Sequence, residues 1–211
     1  MRYSPITEGF RPIVELSLSI LAQRAPGAEA GDGKAFGILL DMAEIWELYV
    51  AKVLQTGLLE LNVMHTGRLR ENSHWLLGNG MDDEKVGSLR PDIIINDPEK
   101  RCVAIVDAKY KTTRLNSVNR TGVVTEDLYQ LAAYLSAFGQ PGNRLNGFLV
   151  YPSDKLGQIE GRLAPKNPWM FSANPNRRLW FLTTDWSGHS DTDSLDAAEQ
   201  LLTSAVRAAV S

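Results

Sequence analysis

The apolar positions of this chain fall into helical stripes at its two ends and into short, dense runs in its middle. In LLDMAEIWELYVAKVLQTG, residues 39–57, Met42, Ile45, Trp46, Tyr49, Val50 and Val53 form a stripe at helical spacing, with Asp41 placed to cap the start and Gly57 the end. Ahead of it, IVELSLSILA, residues 13–22, is too short to span a bilayer and carries Glu15. Its Ile13, Leu16, Ile20 and Leu21 suit an amphipathic helix better than a signal peptide. The Gly- and Ala-rich stretch 25–34 between the two predicted helices has no periodicity and reads as a loop. Short strands are expected at LLELNVM and HWLL, followed by a hairpin across RPDIIINDPEKRCVAIVDAKYK, residues 90–111, with NDPEKR as its turn. A helix over TEDLYQLAAYLSAFG ends at Gly139, just before Pro141. NGFLVYP and LWFLTTD then read as strands and SLDAAEQLLTSAVRAAV as a closing helix. That order predicts an α/β fold, a mixed central sheet flanked by helices.

Length and composition narrow the class. The 211 residues can bury a core in one domain, and 44% hydrophobic with 22% charged residues excludes collagen, coiled coil and disorder. A formal net charge of −3 leaves no overall basic footprint for nucleic acid. Locally the balance differs: Lys100, Arg101, Lys109, Lys111, Arg114 and Arg120 crowd around the single acid Asp107. Cys102 is the only cysteine, which excludes an intramolecular disulfide and fits a reducing cytoplasm. His65, His74 and His189 lack zinc-ligand spacing, and no Gly-rich phosphate loop occurs. Trp169, Phe171, Trp180 and Phe181 suit strand packing better than base stacking.

The hairpin carries the chemistry. Asp107 and Lys109 are two residues apart on a strand and leave the same face, while pairing outward from the turn brings Asp92 level with Asp107 or within a residue or two of it. Directly opposed residues have Cβ atoms about 4.5–5.5 Å apart. Two carboxylates that close repel unless one is protonated or a cation lies between them, and Mg2+ accepts one or two protein carboxylates while keeping several waters. VAIVDA is apolar on both sides of the pleat, as in a strand covered on both faces, which argues against a solvated edge. Glu44 and Glu47, one turn apart beside the apolar stripe, either add a ligand or face water. Gln130 and Tyr134, one helical turn apart, can reach one site together.

Pro91-Asp92 followed by Asp107-Ala108-Lys109, with the acids 15 positions apart across a hairpin between two helices, resembles the PD-(D/E)XK nuclease superfamily. More narrowly, LLDMAEIWELYVAKVL, VDAKYK and EDLYQLAAYL resemble, in that order, segments of the McrC-type nuclease subunit of the McrBC 5-methylcytosine restriction system, over roughly residues 37–150. The resemblance implies a restriction-endonuclease-like fold in a single domain over 1–211: an N-terminal helix and loop at 1–36, the nuclease core at 37–150 and C-terminal strands with a helix at 151–211. It implies Asp92, Asp107 and Glu47 as metal ligands, Lys109 as the catalytic lysine, and Gln130 with Tyr134 as its support. Mg2+, with Mn2+ as a substitute, activates water for phosphodiester hydrolysis in such enzymes. Trp46 stands where the family shows Phe, a difference expected to affect packing rather than chemistry.

Double-stranded DNA is the expected substrate, with Lys111, Arg114 and Arg120 as phosphate contacts. Further expectations are a McrB-type AAA+ GTPase partner, self-association for double cutting, and a cytoplasmic location away from membranes. McrC-type proteins carry an additional N-terminal region that engages the GTPase, and the little room for it here suggests a fragment or a reduced relative. Two other readings stay open: a DNA repair or recombination nuclease of the same fold, and a non-enzymatic DNA-binding assembly subunit.

Overall fold

A computed structural model describes residues 41–67, 74–111, 123–153, 168–185 and 192–211. The expected helix over 13–22, the loop over 25–34, Arg114, Arg120 and His189 lie outside these. Every described element belongs to one unit, Met42–Ser211. In chain order the elements are α1 (Met42–Gly57), β1 (Asn62–His65), β2 (His74–Gly78), β3 (Lys85–Leu89), β4 (Ile93–Asn96), β5 (Cys102–Ala108), α2 (Thr125–Phe138), β6 (Leu145–Ser153), β7 (Trp169–Phe171), β8 (Asn174–Asp185) and α3 (Thr192–Val210). Among the described residues no helix is long and apolar enough to cross a membrane.

Six strands form one mixed sheet in the order β1-β4-β5-β6-β8-β7. β4 runs antiparallel to both β1 and β5, β6 runs parallel to β5 and β8, and β7 closes the far edge antiparallel to β8. The predicted hairpin is β4–β5. Its turn is built by Asp97, whose amide donates to Arg101 O and whose Oδ1 accepts the Arg101 amide at 2.9 Å, while Lys100 takes a positive φ of 64°.

Strand alternation divides the core in two. Ile93, Ile95, Ala104, Val106, Phe148 and Val150 pack beneath α1 and α3, against Trp46, Val50, Leu54, Leu202 and Val206. Ile105, Leu149 and Tyr151 face α2 through Leu131, Tyr134 and Leu135. β5 is therefore covered on both sides, and its Ala104–Ala108 segment is wholly buried. The layer assignment follows from these faces: each helix buries one stripe, and the sheet is apolar on both sides.

The structure changes two details. The α1 stripe is rotated from the predicted one: Met42 and Ile45 are exposed, whereas Ala51 and Leu54 join Trp46, Val50 and Val53 inside. β3, which the polar sequence KVGSL does not announce, pairs with β2 in a separate two-stranded sheet. α2 ends at Gly139 as predicted, in an extended conformation with φ −78°, and its missing side chain leaves room for the Arg177 guanidinium. That buried arginine donates to Asn143 O at 2.7 Å and Gln140 O at 3.0 Å. Of the four aromatics near NPNRR, Trp180 is buried against Phe148, with its indole N–H on Asn146 Oδ1 at 3.2 Å, while Trp169 stays exposed.

Candidate active site

The β4–β5 ladder pairs Ile93 with Val106, and the same register continued by one residue sets Asp92 level with Asp107. Both acids lie on the face opposite Ile93 and Val106, the face covered by α2. Asp107 is fully buried, and neither of its carboxylate oxygens has a hydrogen bond among the described residues. Lys109 Nζ approaches its Oδ2 at 2.7 Å as an ion pair, without the angular geometry of a hydrogen bond. A buried carboxylate held only by charge is costly, and such a group is found where something else is meant to bind.

Asp92 is the complementary case. Its Oδ2 accepts the Ala108 amide at 2.7 Å, which ties the end of β4 to the end of β5. Burial raises its carboxyl from the ordinary 3.8 to about 8, and the charges of Asp107 and Glu47 push the same way. This is the like-charge pair that the spacing predicts: one member holds a proton unless a cation replaces it.

Lys109 is fixed at both ends. Its backbone amide donates to Val150 O at 2.9 Å, continuing the parallel β5–β6 ladder, and its Nζ donates to Gln130 Oε1 at 2.9 Å. Gln130 passes its own amide to the Tyr134 hydroxyl at 2.9 Å, and that hydroxyl donates to Arg90 O at 2.9 Å. Burial beside Asp107 raises the Tyr134 hydroxyl above its usual range, so it remains a donor. The chain from Lys109 through Gln130 and Tyr134 thus closes on the segment that presents Asp92.

Glu47 is placed differently. Its Oε1 lies 2.5 Å from His65 Nε2, and Gly67 leaves the space beside this pair that a side chain would occupy. His65 pairs with Ile93 and so leaves the α1 face of the sheet, the opposite face from the two aspartates. The charge of Glu47 reaches Asp92, but among the described residues no three His, Cys, Asp or Glu side chains stand together as a metal cage. Two carboxylates are what gather here. Their hard oxygen donors and the orphaned oxygens of Asp107 fit Mg2+, which needs few protein ligands, and do not fit a zinc site.

Lys111 does not join this group. Its Nζ lies 2.8 Å from Oδ1 of buried Asp127. His74 stacks on Phe138, with ring centroids 3.9 Å apart.

Trp46 was expected to matter for packing alone. Its indole N–H donates to Val150 O at 3.1 Å, the carbonyl that also accepts the Lys109 amide. The helix bearing Glu47 is thereby fastened to the strand beside the motif. Trp46→Phe should cost at least about 1 kcal/mol in denaturant unfolding, because the carbonyl loses one of its two partners and the smaller ring leaves a void in a fully buried site. An unchanged midpoint would show that the second bond carries no stability.

A model of the McrBC 5-methylcytosine restriction system component family matches residues 1–152. The chain belongs to this family. The segments around Glu47, Asp107 and Gln130 all lie within the matched range. A solved chain from a half-complex of the tetradecameric assembly of Thermococcus gammatolerans McrB AAA+ hexamers with bound McrC is similar in fold, with a TM-score of 0.55 at 15% identity. The match covers 99% of this chain and 40% of that one, so this chain spans about two fifths of its length. No curated protein sequence matches the chain. The six-stranded mixed sheet with helices on both faces agrees with a restriction-endonuclease-like fold.

Proposed function

We propose that this McrBC-family chain is a Mg2+-dependent DNA endonuclease of the PD-(D/E)XK type, the cleavage module of a McrBC-like restriction system. The observation that carries the reading is Asp107: a fully buried carboxylate with no hydrogen bond among the described residues, level with a second carboxylate and flanked by a tethered lysine. Asp92 and Asp107 would hold the metal, with Glu47 joining if it leaves His65. Bound there, Mg2+ would supply the positive charge that activates water and offsets charge on the phosphodiester.

The chain's own groups do the rest. Asp92 keeps β4 and β5 together through the Ala108 amide while offering its other oxygen to the site. Lys109 presents a fixed ammonium, held by Gln130, to the negative charge that grows on a phosphate under attack. Tyr134 holds Gln130 and the Arg90 carbonyl, and so sets the distance between the two halves of the motif. Arg114 and Arg120 are the proposed phosphate contacts. Like the protein of similar fold, whose structure includes AAA+ hexamers, the chain would act with a McrB-type GTPase, and cutting both strands would bring two copies together.

The test is cleavage of 5-methylcytosine-bearing and unmodified plasmid by the purified chain, with Mg2+ or EDTA, and with or without the cognate AAA+ GTPase. Mg2+-dependent cutting in either the isolated or the partnered state is the expected result. Intact plasmid in all arms, with DNA binding retained, would replace this reading with that of a non-enzymatic assembly subunit.

A further inference from the structure

Beside the proposed site lies a second polar group that the reaction does not use directly. Asp127, in the first turn of α2, is buried to 4% exposure, and its two carboxylate oxygens are divided between different elements. Oδ1 meets Lys111 Nζ at 2.8 Å, and Oδ2 accepts the Tyr151 hydroxyl at 2.9 Å. Tyr151, on β6, is itself 1% exposed, and burial beside this carboxylate keeps its hydroxyl protonated and donating. The start of a helix favours an acidic side chain, and one with both oxygens engaged there is well satisfied.

The geometry connects this group to Lys109. The Lys111 amide donates to Lys109 O at 3.0 Å, a tight turn that swings the chain from the end of β5 toward α2. Tyr151 follows Val150, the residue whose carbonyl receives the Lys109 amide. Gln130, which holds the Lys109 ammonium, lies three residues after Asp127, and Tyr134 four residues further, so all three occupy one stripe of α2. α2 therefore grips the segment Lys109–Lys111 at two points.

We infer that Asp127, Lys111 and Tyr151 form a strut whose task is to position Lys109, with Asp127 as its positioning residue and Lys111 turned to this inward role instead of a phosphate contact. The inference rests on the proposed role of Lys109 in the reacting site. Without the strut, Lys109 would be held to β6 by its backbone amide and, among the described residues, by its ammonium to Gln130 and Asp107.

The full chain carrying Asp127→Asn, Lys111→Met or both is compared with wild type in three measurements. Single-turnover plasmid cleavage, with the GTPase present if wild type needs it, should fall at least tenfold in Asp127→Asn at saturating DNA. The affinity for a DNA duplex in EDTA, and its dependence on salt, should be unchanged in Lys111→Met. The melting temperature lost in the double variant should be less than the sum of the two single losses, because both remove one interaction. A salt dependence shallower by about one phosphate contact in Lys111→Met would overturn the strut, since it would place Lys111 on DNA. So would a lowered melting temperature in Asp127→Asn with undiminished cleavage, which would leave the group a purely structural role. If wild type itself never cuts, the nuclease reading fails. The salt dependence and the melting cycle still decide the strut: additive losses or a shallower slope overturn it.

Discussion

Asp107→Asn should abolish DNA cleavage, a fall of at least about a thousandfold, while the metal-free protein melts no lower than wild type. The two halves of this expectation come from the same atoms. The carboxylate of Asp107 is the central charge of the proposed metal seat, and losing several kcal/mol of charge stabilisation in the transition state corresponds to roughly three orders of magnitude in rate. Yet both oxygens are buried without a hydrogen bond among the described residues, and a second acid sits level with them. Asparagine keeps the shape and removes the repulsion with Asp92, at the expense of the ion pair to Lys109. Burying a charge costs more than burying an amide, so stability should hold or rise while activity vanishes. Cleavage assays and thermal melts in EDTA on one preparation give both numbers. Retained cutting would remove this site from the protein; a drop of many degrees would mean that Asp107 is structural.

Metal-free protein should lose stability as pH rises from about 4 to 8, and Mg2+ should reverse the trend. The sign follows from Asp92, whose carboxyl ionises near 3.8 when exposed and at about 8 in the fold. Between those values the folded state holds a proton that the unfolded chain has released. Stability is then fully present below the lower value and declines as pH climbs through the higher one. A divalent cation that binds the ionised pair competes with that proton, so its stabilising effect should grow over the same interval. At a hundred times its dissociation constant a ligand adds about 2.7 kcal/mol, several degrees in melting temperature for a chain of this size. Melting curves at pH 5, 6, 7 and 8 in EDTA and in Mg2+ are to be read as wild type minus Asp92→Asn, so that other titrating groups cancel. A difference that stays flat in EDTA would show that Asp92 is not held protonated, and equal Mg2+ effects in both proteins would place the cation elsewhere.

Much of this site is legible in the sequence because it is local. Two strands joined by a short turn fix their own register, so the spacing of Asp92 and Asp107 about Asp97–Arg101 already sets them opposite each other. Period-2 alternation puts Lys109 on the face of Asp107, and one helical turn joins Gln130 to Tyr134. What the sequence withholds depends on contacts between distant segments. Nothing in EDLYQ marks Asp127 as buried, because its partners Lys111 and Tyr151 arrive from other elements. Lys111 reads as one base in a basic run, and charge alone has no direction. The pairing of Glu47 with His65 is likewise tertiary, and nothing in the local sequence announces it. The phase of the α1 stripe is tertiary too: Met42 and Ile45 satisfy helical spacing, but the sheet and α3 select the face centred on Trp46 and Leu54. β3 leaves no pattern in the sequence because a strand in a small exposed sheet need not alternate apolar and polar residues.

The burial of β5 on both faces also determines where the gene can tolerate insertions and deletions. One codon added between Ile105 and Asp107 would rotate the acid onto the apolar side beneath α1 and α3; two would restore its face but carry it out of step with Asp92. The exposed turn at Asp97–Arg101 can lengthen provided that the strands keep the pairing their buried faces dictate. Changes of length can accumulate there, whereas Cys102–Lys109 must be inherited residue for residue.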